Sequence, residues 1–227
     1  KIDKFVELTE RQIELLKEQK EVLINDAVTK GIDKNVNYKD SGIDWIGEIP
    51  EHWEVMSVKR KLRVLTDYTA NGSFASLAEN VSYLDNGYAR LVRLTDLRVN
   101  FKNKGVYVSE NAYKFLSKSS LKPGDFLIAN VGAYTGYTCL MQDIKEKSTL
   151  GPNMMLAKFS KDIDNKFIKY SFNSQYISEQ IALKANNSSA QPSINKDDFK
   201  SVLISLPPLS EQKEIVANAP AIEDALL

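Results

Sequence analysis

Residues 1–31 read KIDKFVELTERQIELLKEQKEVLINDAVTKG, and this stretch decides how the rest of the chain is organised. A seam of side chains recurs in it at steps of four and three residues, which is typical of one face of an α-helix and close to the 3.5-residue repeat of a coiled coil. The seam positions are Ile2, Val6, Thr9, Ile13, Leu16, Lys20, Leu23 and Ala27. No proline or glycine interrupts the pattern before Gly31, which suits a helix C-terminus.

A helix of this length spans about 45 Å, at about 1.5 Å per residue. It does not bury its own apolar stripe, so it needs a partner helix in this chain or in a second copy. We therefore predict a coiled-coil spacer over residues 1–31. The predicted helix–helix interface consists of Ile2, Val6, Ile13, Leu16, Leu23 and Ala27. The alternative is an ordinary amphipathic helix that packs on its own domain.

Length and composition predict a globular protein of one or two units. The sequence contains no run of 18 apolar residues, which is about the length needed to cross a bilayer. The opening Lys-Ile-Asp-Lys is unlike a signal peptide, so we expect no membrane contact. The only cysteine, Cys139, leaves no internal disulfide and fits a reducing cytoplasm. Together with the single histidine, His52, it makes a structural zinc site an unfavourable interpretation.

The charges are unevenly distributed although the whole chain is neutral. Residues 1–54 carry eight basic and thirteen acidic residues, whereas residues 55–122 carry twelve basic and five acidic ones. The net charges are therefore −5 and +7, and the remainder carries −2. A basic middle in a neutral chain is expected of an anion-binding face, and scattered surface lysines are the alternative.

The segment 32–54 is acidic and punctuated by glycine and proline, which predicts an extended linker with tight turns. Its isoleucines and tryptophans are too apolar for a free tether. We expect the linker to lie against the globular part, with Trp45 and Trp53 as its anchors.

The remaining sequence predicts short strands framed by helices, without regular strand–helix alternation, and hence an α+β fold. Strands are expected at 88–97, 106–108, 126–131, 137–141, 150–159 and 202–206, with helical segments at 111–116, 164–185 and from Glu211, N-capped by Ser210. Periodicity leaves strand and helix open for 58–65, and 67–86 is expected to be a loop with a helical turn near Leu77. The strands on either side of 132–136 (GAYTG) form a hairpin.

Several of these segments resemble the target-recognition domain of the specificity (S) subunits of Type I DNA restriction-modification systems. The motifs are LPPLSEQKEIV (206–216), LKPGDFLIANVGAYTG (121–136), YARLVRLTDL (88–97), QPSI (191–194) and DSGIDWIGEIPEHWEV (40–55). Residues 1–31 resemble the long conserved helix that follows LPPLxEQ in such a subunit. The resemblance covers nearly the whole chain.

The resemblance implies a non-catalytic subunit that binds double-stranded DNA, reads one half of a bipartite target and docks methyltransferase and restriction subunits. It also implies four segments: a conserved spacer helix (1–31), a linker packed on the domain (32–54), a target-recognition domain (55–209) and the start of a second conserved helix (210–227). A homodimer through antiparallel helices would present two identical reading domains. Pro220 departs from the family pattern, because a proline inside the last helix predicts a short or kinked element.

Candidate DNA contacts follow from residue type and position. Phosphate contacts are predicted for Lys59, Arg60, Lys61, Arg63, Lys102 and Lys104. Either Arg90 or Arg93 is a candidate for a bidentate guanine contact, and the other, more plausibly Arg93, is expected to pair with Asp96. Further candidates are Tyr134 at the glycine-flanked tip, and Asn187, Ser188 and Gln191 in a polar loop. The alternative is ordinary loop packing for Tyr134 and loop capping for the other three.

No catalytic set or cofactor motif is evident. Nucleotide hydrolysis would need a GxxxxGK[ST] loop, and an adenine methyltransferase would need a polar residue before Pro-Pro and an aromatic one after it, where this chain has Leu206 and Leu209. We predict no enzyme activity, no cofactor and no metal. The competing hypothesis is a coiled-coil assembly module without DNA specificity.

Overall fold

A computed structural model describes residues 2–185 and 191–224. Within these residues the helices are α1 Ile2–Lys30, α2 Phe74–Asn80, α3 Leu94–Arg98, α4 Glu110–Phe115, α5 Asn165–Phe172, α6 Gln175–Lys184, α7 Lys196–Ser201 and α8 Leu209–Asp224. The strands are β1 Tyr38–Asp40, β2 Glu48–Pro50, β3 Glu54–Ser57, β4 Leu62–Asp67, β5 Ala89–Val92, β6 Tyr107–Val108, β7 Ser120–Leu121, β8 Phe126–Ala129, β9 Thr138–Leu140, β10 Ser148–Leu150, β11 Met154–Phe159 and β12 Leu203–Leu206. The mixture of helix and short strand confirms the α+β fold.

The chain forms two compact units. Unit 1 comprises residues 1–56, 162–178 and 203–227, and unit 2 comprises 57–161 and 179–202. These boundaries group parts of the predicted 55–209 segment with the long helix. The functional division at 31, 54 and 209 therefore stays a prediction, while the structural division follows packing.

Unit 1 is assembled around the C-terminal end of α1, which packs on α5 and α8. Val28 is fully buried, and its carbonyl oxygen accepts a hydrogen bond from the buried Ser205 hydroxyl at 3.2 Å. Gln212, also buried, accepts from the Asp164 backbone N–H at 2.8 Å and donates to the Pro207 carbonyl at 2.9 Å. These hydrogen bonds tie α1 to β12, and α8 to the residues that precede α5 and follow β12.

The linker between α1 and β3 is an ordered hairpin in which β1 and β2 pair antiparallel. Trp53 is fully buried, packs edge-on against Phe167 with ring centroids 6.5 Å apart, and donates from Nε1 to Glu211 at 3.0 Å. Trp45 is 48% exposed. The prediction of two tryptophan anchors is therefore wrong for Trp45, because the neighbouring Ile46 takes the buried position instead.

Unit 2 contains two four-stranded sheets. One has the order β6-β5-β10-β7, with β10 parallel to β5, and the other has the order β4-β11-β8-β9, in which all neighbours are antiparallel. Strand β5 is buried on both faces, since Leu91 belongs to one core cluster with Leu77 and Leu116, and Val92 to another with Leu127. The predicted hairpin is confirmed as β8 and β9.

Several predicted elements differ from the structure. The strand expected at 88–97 ends at Val92, because the Asp96 carboxylate accepts a hydrogen bond from the Arg93 backbone N–H at 2.8 Å at the start of α3. The helix expected at 164–185 is broken between α5 and α6, where the Ser174 hydroxyl bonds back to the Ser171 carbonyl. The strand expected at 150–159 is interrupted at Asn153, which has φ +63°.

The last helix begins at Leu209, not at Glu211, since the backbone N–H groups of Glu211 and Gln212 already bond to the Pro208 carbonyl. Ser210 therefore lies inside the first turn, and the N-cap prediction is wrong. The helix runs to Asp224 with Pro220 inside it, so it is longer than the proline rule alone indicated. The open segment 58–65 contains a 3₁₀ turn, Val58–Lys61, followed by β4, and α2 supplies the helical turn expected near Leu77.

Candidate nucleic-acid interface

The tip loop, residues 130–137 between β8 and β9, is fixed in position by backbone hydrogen bonds. Gly132 N–H donates to the Pro192 carbonyl at 2.9 Å, and Ile194 N–H donates to the Asn130 carbonyl at 3.0 Å. The Thr135 hydroxyl adds a bond to the Pro192 carbonyl at 2.8 Å. The structure therefore brings together two motifs that the sequence separates, GAYTG and QPSI, and it presents them as one surface feature.

An exposed arginine and two exposed tyrosines meet at this tip. The Arg98 guanidinium, at the end of α3, lies over the Tyr134 ring with Cζ 3.9 Å from the ring centroid. Tyr134 is 44% exposed and Tyr137 is 38% exposed. We call Arg98, Tyr134 and Tyr137 the tip cluster.

The environment of the tip cluster affects the pKa of Tyr137. Partial burial raises the pKa of the Tyr137 phenol, the neighbouring Cys139 adds to the rise and Arg98 opposes it. The phenol therefore stays neutral near pH 7 and donates a hydrogen bond. One guanidinium, two phenol hydroxyls and two aromatic rings suit contacts with phosphates, base edges and unstacked bases.

Sequence reasoning missed Arg98 and Tyr137. Residue 98 lies just beyond the stretch that was predicted to be a strand, so nothing placed it beside Tyr134. The signal available was the run of basic residues from Arg90 to Lys104, which indicated a charged segment without indicating which member is exposed.

Arg90 is buried and paired in this structure, which does not favour it as the guanine-reading residue, and its role as a DNA contact stays a prediction. Its side chain is 8% exposed and pairs with Asp96 at 3.3 Å, with its guanidinium 4.9 Å from the Phe101 ring centroid. Arg93 pairs with the same carboxylate at 3.1 Å and is 35% exposed, as expected for the partner of Asp96. The Asn103 amide also donates to Asp96, at 2.9 Å. Because Asp96 is fully buried, two arginines and an amide are needed to satisfy it.

Lys102 and Lys104 follow α3 on an exposed stretch. The Lys104 ammonium pairs with Asp85 at 3.0 Å, with both side chains more than 70% exposed, so solvent screens the pair and it is readily exchanged for another anion. Both residues keep the exposure that a phosphate contact requires. Their assignment as DNA contacts stays a prediction.

The other basic cluster lies at the far end of the β4-β11-β8-β9 sheet. Lys59, Arg60 and Arg63 are exposed, and Lys61 is half-buried. Arg63 follows Leu62, which pairs with Phe159, whereas the tip loop follows Ala129, which pairs with Met154. Five residues of β11 separate these two ends, or about 16 Å at about 3.3 Å per residue. The structure therefore does not bring this cluster to the tip.

The remaining predicted contacts lie in the polar loop. Asn187 and Ser188 fall outside the described residues. Gln191 is exposed and immediately precedes Pro192, which holds the tip loop. Gln191 thus lies beside the tip loop.

A cleft of about 530 Å³ opens next to the tip loop, between α2 and the end of β8. Its walls include Tyr68, Phe74, Tyr83 and Asn130. The Asn130 side-chain oxygen is buried without a hydrogen-bond partner among the described residues. A buried acceptor without a donor is unfavourable, so this wall of the cleft retains capacity to bind a donor group.

The predicted helix–helix interface divides into two parts along α1. Ile2, Val6, Ile13 and Leu23 are between 46% and 79% exposed, Leu16 is half-buried and Ala27 is buried. Only the C-terminal third of α1 packs inside unit 1, so most of the apolar stripe is available to another helix.

Two features of the described residues bear on other functions. Across residues 2–185 and 191–224, no group of three or more histidine, cysteine or acidic residues is arranged to hold a metal ion. In the same residues, none of the helices combines the length and apolar character needed to span a bilayer.

Comparison with known proteins identifies the family. Residues 72–218 match the model of the Type I restriction modification DNA specificity domain. The chain is 25% identical over 230 residues to the type I restriction enzyme MjaVIII specificity subunit of Methanocaldococcus jannaschii, covering 99% of this chain and 51% of that protein. The chain thus spans about half the length of this curated relative.

Solved structures show the same fold. The HsdS subunit from Thermoanaerobacter tengcongensis aligns with a TM-score of 0.58 at 18% identity, over 99% of this chain and 48% of that one. A chain from a study of complex assembly and conformational transition of the type I R-M system aligns with a TM-score of 0.64 at 16% identity, over 99% and 49%. The family match extends over more than half of the sequence, and this chain belongs to the Type I restriction-modification DNA specificity domain family.

Proposed function

We propose that this chain reads one half of a bipartite DNA target as the specificity component of a Type I restriction-modification system. The observation that carries the proposal is the tip cluster, in which the exposed Arg98 guanidinium at the end of α3 lies over Tyr134, one of two exposed tyrosines on a loop fixed by backbone hydrogen bonds. Direct reading of a base pair needs such preorganised donors at the surface.

Arg98 is the residue that we assign to base reading. Its guanidinium is exposed and stacks on Tyr134, so its orientation is restricted before DNA arrives. A guanidinium held in this way donates two hydrogen bonds to O6 and N7 of guanine, a contact worth about 1–3 kcal/mol of discrimination. Tyr134 and Tyr137 add stacking and hydroxyl contacts at neighbouring positions.

The exposed basic residues outside the tip supply affinity without sequence choice. Lys102 and Lys104 lie close in sequence to Arg98, and the cluster of Lys59, Arg60, Lys61 and Arg63 lies about 16 Å along the sheet from the tip. Each phosphate contact releases counterions, so its loss weakens binding to all sequences alike and lowers the salt dependence. Loss of a tip-cluster contact should therefore change sequence preference, whereas loss of a phosphate contact should change affinity and salt dependence.

The long helix α1 serves as a spacer. Its exposed apolar stripe accepts a second helix, from another copy of this chain or from the second half of a longer subunit, in an antiparallel coiled coil. A rod of about 45 Å exceeds one turn of DNA at about 34 Å, so two reading domains at its ends contact half-sites with unread base pairs between them. We assign methylation and cleavage to methyltransferase and restriction subunits, and assign no catalytic step to this chain.

Duplex binding by the chain co-purified with its methyltransferase subunit tests the proposal. Arg98→Ala should lower the preference for target over scrambled duplex by about 5- to 150-fold, which corresponds to about 1–3 kcal/mol. Arg63→Ala should weaken both duplexes equally and reduce the slope of log affinity against log salt by about 1. Lys166→Ala, which removes an exposed charge from α5, is the matched control and should change neither.

The opposite outcome is equally defined. If the wild-type complex binds target and scrambled duplexes alike at every salt concentration, DNA reading is excluded, and the assembly module becomes the better description. Mapping methylated motifs in the source cell with and without the gene is an independent measurement of the same property.

A further inference from the structure

The cleft beside the tip loop, between α2 and the end of β8, is bordered by three aromatic side chains. Tyr68 is 8% exposed and belongs to the same core cluster as Leu77, whereas Phe74 is 82% exposed and Tyr83 is 55% exposed. One exposed aromatic ring is ordinary on a protein surface. Two exposed rings and a buried one around a single cleft of about 530 Å³ form walls that suit a planar ring.

The segment that carries Tyr68 and Phe74 is held in one conformation by two caps. The Asp67 carboxylate accepts a backbone N–H at 2.8 Å and caps the 3₁₀ turn that contains Tyr68. The Ser73 hydroxyl accepts a backbone N–H at 3.2 Å and caps α2, whose first residue is Phe74. A ligand that enters the cleft therefore meets walls that are already in place, and little conformational freedom is lost on binding.

The cleft also contains an amide whose oxygen has no partner. Asn130 directly follows β8, and its backbone N–H and carbonyl groups are bonded to Asn153 and Ile194 at 3.1 and 3.0 Å. Its side chain is half-buried, and Oδ1 makes no hydrogen bond within the part of the chain that the structure describes. Because no bond holds this oxygen, the amide can turn about its terminal torsion toward a ligand without giving one up.

The walls of the cleft carry little charge. Among the described residues that line it, Asp67 is the one acidic or basic side chain, and Lys196 neutralises it at 2.8 Å. Burial raises the pKa of the Tyr68 phenol, and the neighbouring Tyr83 phenol adds to the rise, so Tyr68 is neutral near pH 7. An uncharged ring therefore suits this cleft better than a phosphate or a carboxylate.

A second cleft, of about 500 Å³, shares Asp67, Asn130 and Val131 with the first. Its other walls are mainly polar and include Asn195 and Lys196. Aromatic and polar surfaces thus meet at the Asn130 amide. This combination suits a ligand that has a flat ring and an attached group with hydroxyls.

The amide itself narrows the choice of ring, because it offers one acceptor beside one donor. Adenine presents its N6 amino donor beside the N7 acceptor, whereas guanine presents two acceptors on the same edge, and asparagine pairs with adenine in this way. We propose that the cleft binds the adenine ring of a nucleoside, packed against Tyr68, Phe74 and Tyr83 and paired with the Asn130 amide. Two sources offer this ring: a free adenine nucleoside and an unpaired adenine of bound DNA.

This site goes beyond the proposed function, since a free nucleoside tests it without DNA. The probe is adenosine, titrated calorimetrically into the full chain alone, so that no other subunit contributes a nucleotide site. The ligand efficiency typical of small ligands gives an expected Kd on the order of 0.1 mM. Guanosine, which lacks the N6 donor, should bind about 10-fold more weakly.

Two variants assign the contacts. Phe74→Ala removes a stacking surface and should weaken adenosine binding about 10-fold. Asn130→Ala keeps the backbone hydrogen bonds of residue 130 and should abolish the preference for adenosine over guanosine, which a general loosening of the cleft would not do. Trp45→Ala removes an exposed aromatic ring that does not line the cleft, and this matched control should leave the affinity unchanged.

Competition with DNA identifies the source of the ring. If the cleft takes a base from DNA, a duplex with one adenine opposite an abasic site should displace adenosine, because an unpaired base costs least to unstack. The same duplex fully paired should then displace it much less. Equal competition by both duplexes, or by neither, assigns the site to the free nucleoside.

Three results would overturn the site. They are no saturable binding at millimolar adenosine, equal binding of adenosine and guanosine by the wild-type chain, and a preference for adenosine that persists in Asn130→Ala. Each of them leaves the proposed DNA reading intact, because that function depends on the tip cluster and is measured with duplexes.

Discussion

Removing the Asp96 carboxylate should strongly destabilise unit 2. Asp96 is fully buried and accepts from Arg93 at 3.1 and 3.2 Å, from Arg90 at 3.3 Å and from Asn103 at 2.9 Å. Asp96→Ala leaves the Arg90 charge buried without its carboxylate, which costs about 3–5 kcal/mol. At about 3–4 °C per kcal/mol for a domain of 100–150 residues, the midpoint should fall by about 10–20 °C.

The same carboxylate should make the free energy of unfolding of unit 2 decrease at acidic pH. Burial alone would raise the pKa of Asp96, but hydrogen bonds from Arg93 and Asn103 outweigh burial and hold the pKa below its ordinary value of 3.8. Because the folded pKa is the lower one, the carboxylate stabilises the unit above the unfolded pKa. That contribution is lost as the pH falls below 3.8 and through the folded value. Asp96→Asn keeps the shape of the side chain but removes the ionisable group, so its stability should lack this decrease at acidic pH.

Thermal unfolding followed by near-UV circular dichroism between pH 2.5 and 7 measures both effects. Asp85→Ala removes a carboxylate from an exposed pair with Lys104 and is the matched control, with an expected loss within about 0.5 kcal/mol. A midpoint for Asp96→Ala within 3 °C of the control would refute the reasoning that Asp96 compensates the buried Arg90.

Three further predictions concern other parts of the chain. In a urea titration, Glu211→Ala should lower the free energy of unfolding by about 1–3 kcal/mol, because it leaves the buried Trp53 indole N–H without an acceptor. Glu211→Gln, which keeps an acceptor, should lower it less. Gly136→Ala should destabilise the tip loop by about 1–3 kcal/mol, since φ is +93° and the new Cβ would lie 2.9 Å from Ile181, and hydrogen exchange of the tip amides should increase. Leu23→Gln should leave the monomer's stability within about 0.5 kcal/mol, because Leu23 is 46% exposed, yet weaken helix-mediated self-association in sedimentation experiments.

The parts of the fold that the sequence predicted are those that local pattern controls. The seam of α1 and the turn signals around β8 and β9 repeat over many residues, so they specify one helix and one hairpin without tertiary context. The failures lie where a single polar group overrides a pattern. Alternating apolar residues predicted a strand through residue 97, but the hydrogen bond from the Arg93 backbone N–H to the Asp96 carboxylate starts α3 directly after Val92.

The candidate site was harder to predict than the fold, since exposure and neighbourhood are tertiary properties. Arg90 and Arg98 have the same chemistry and lie eight residues apart, yet the first neutralises a buried carboxylate and the second stacks on Tyr134 at the surface. Nothing in residue type distinguishes them. The basic cluster near Arg63 and Tyr134 of the tip loop were likewise both predicted to contact DNA, and the register of β4, β11 and β8 shows that they lie at opposite ends of a sheet.

The side chains that are proposed to contact DNA differ from those that stabilise unit 2. The tip loop is fixed by backbone bonds at Gly132 and Pro192, so the side chains of Arg98 and Tyr134 can change without removing the contacts that hold the loop. Asp96 has no such freedom, because its side chain satisfies buried charge. Substitutions in the tip cluster should therefore alter which DNA sequence is bound at little cost in stability. Substitutions at Asp96 should lower stability first and alter sequence preference only through the displacement of α3.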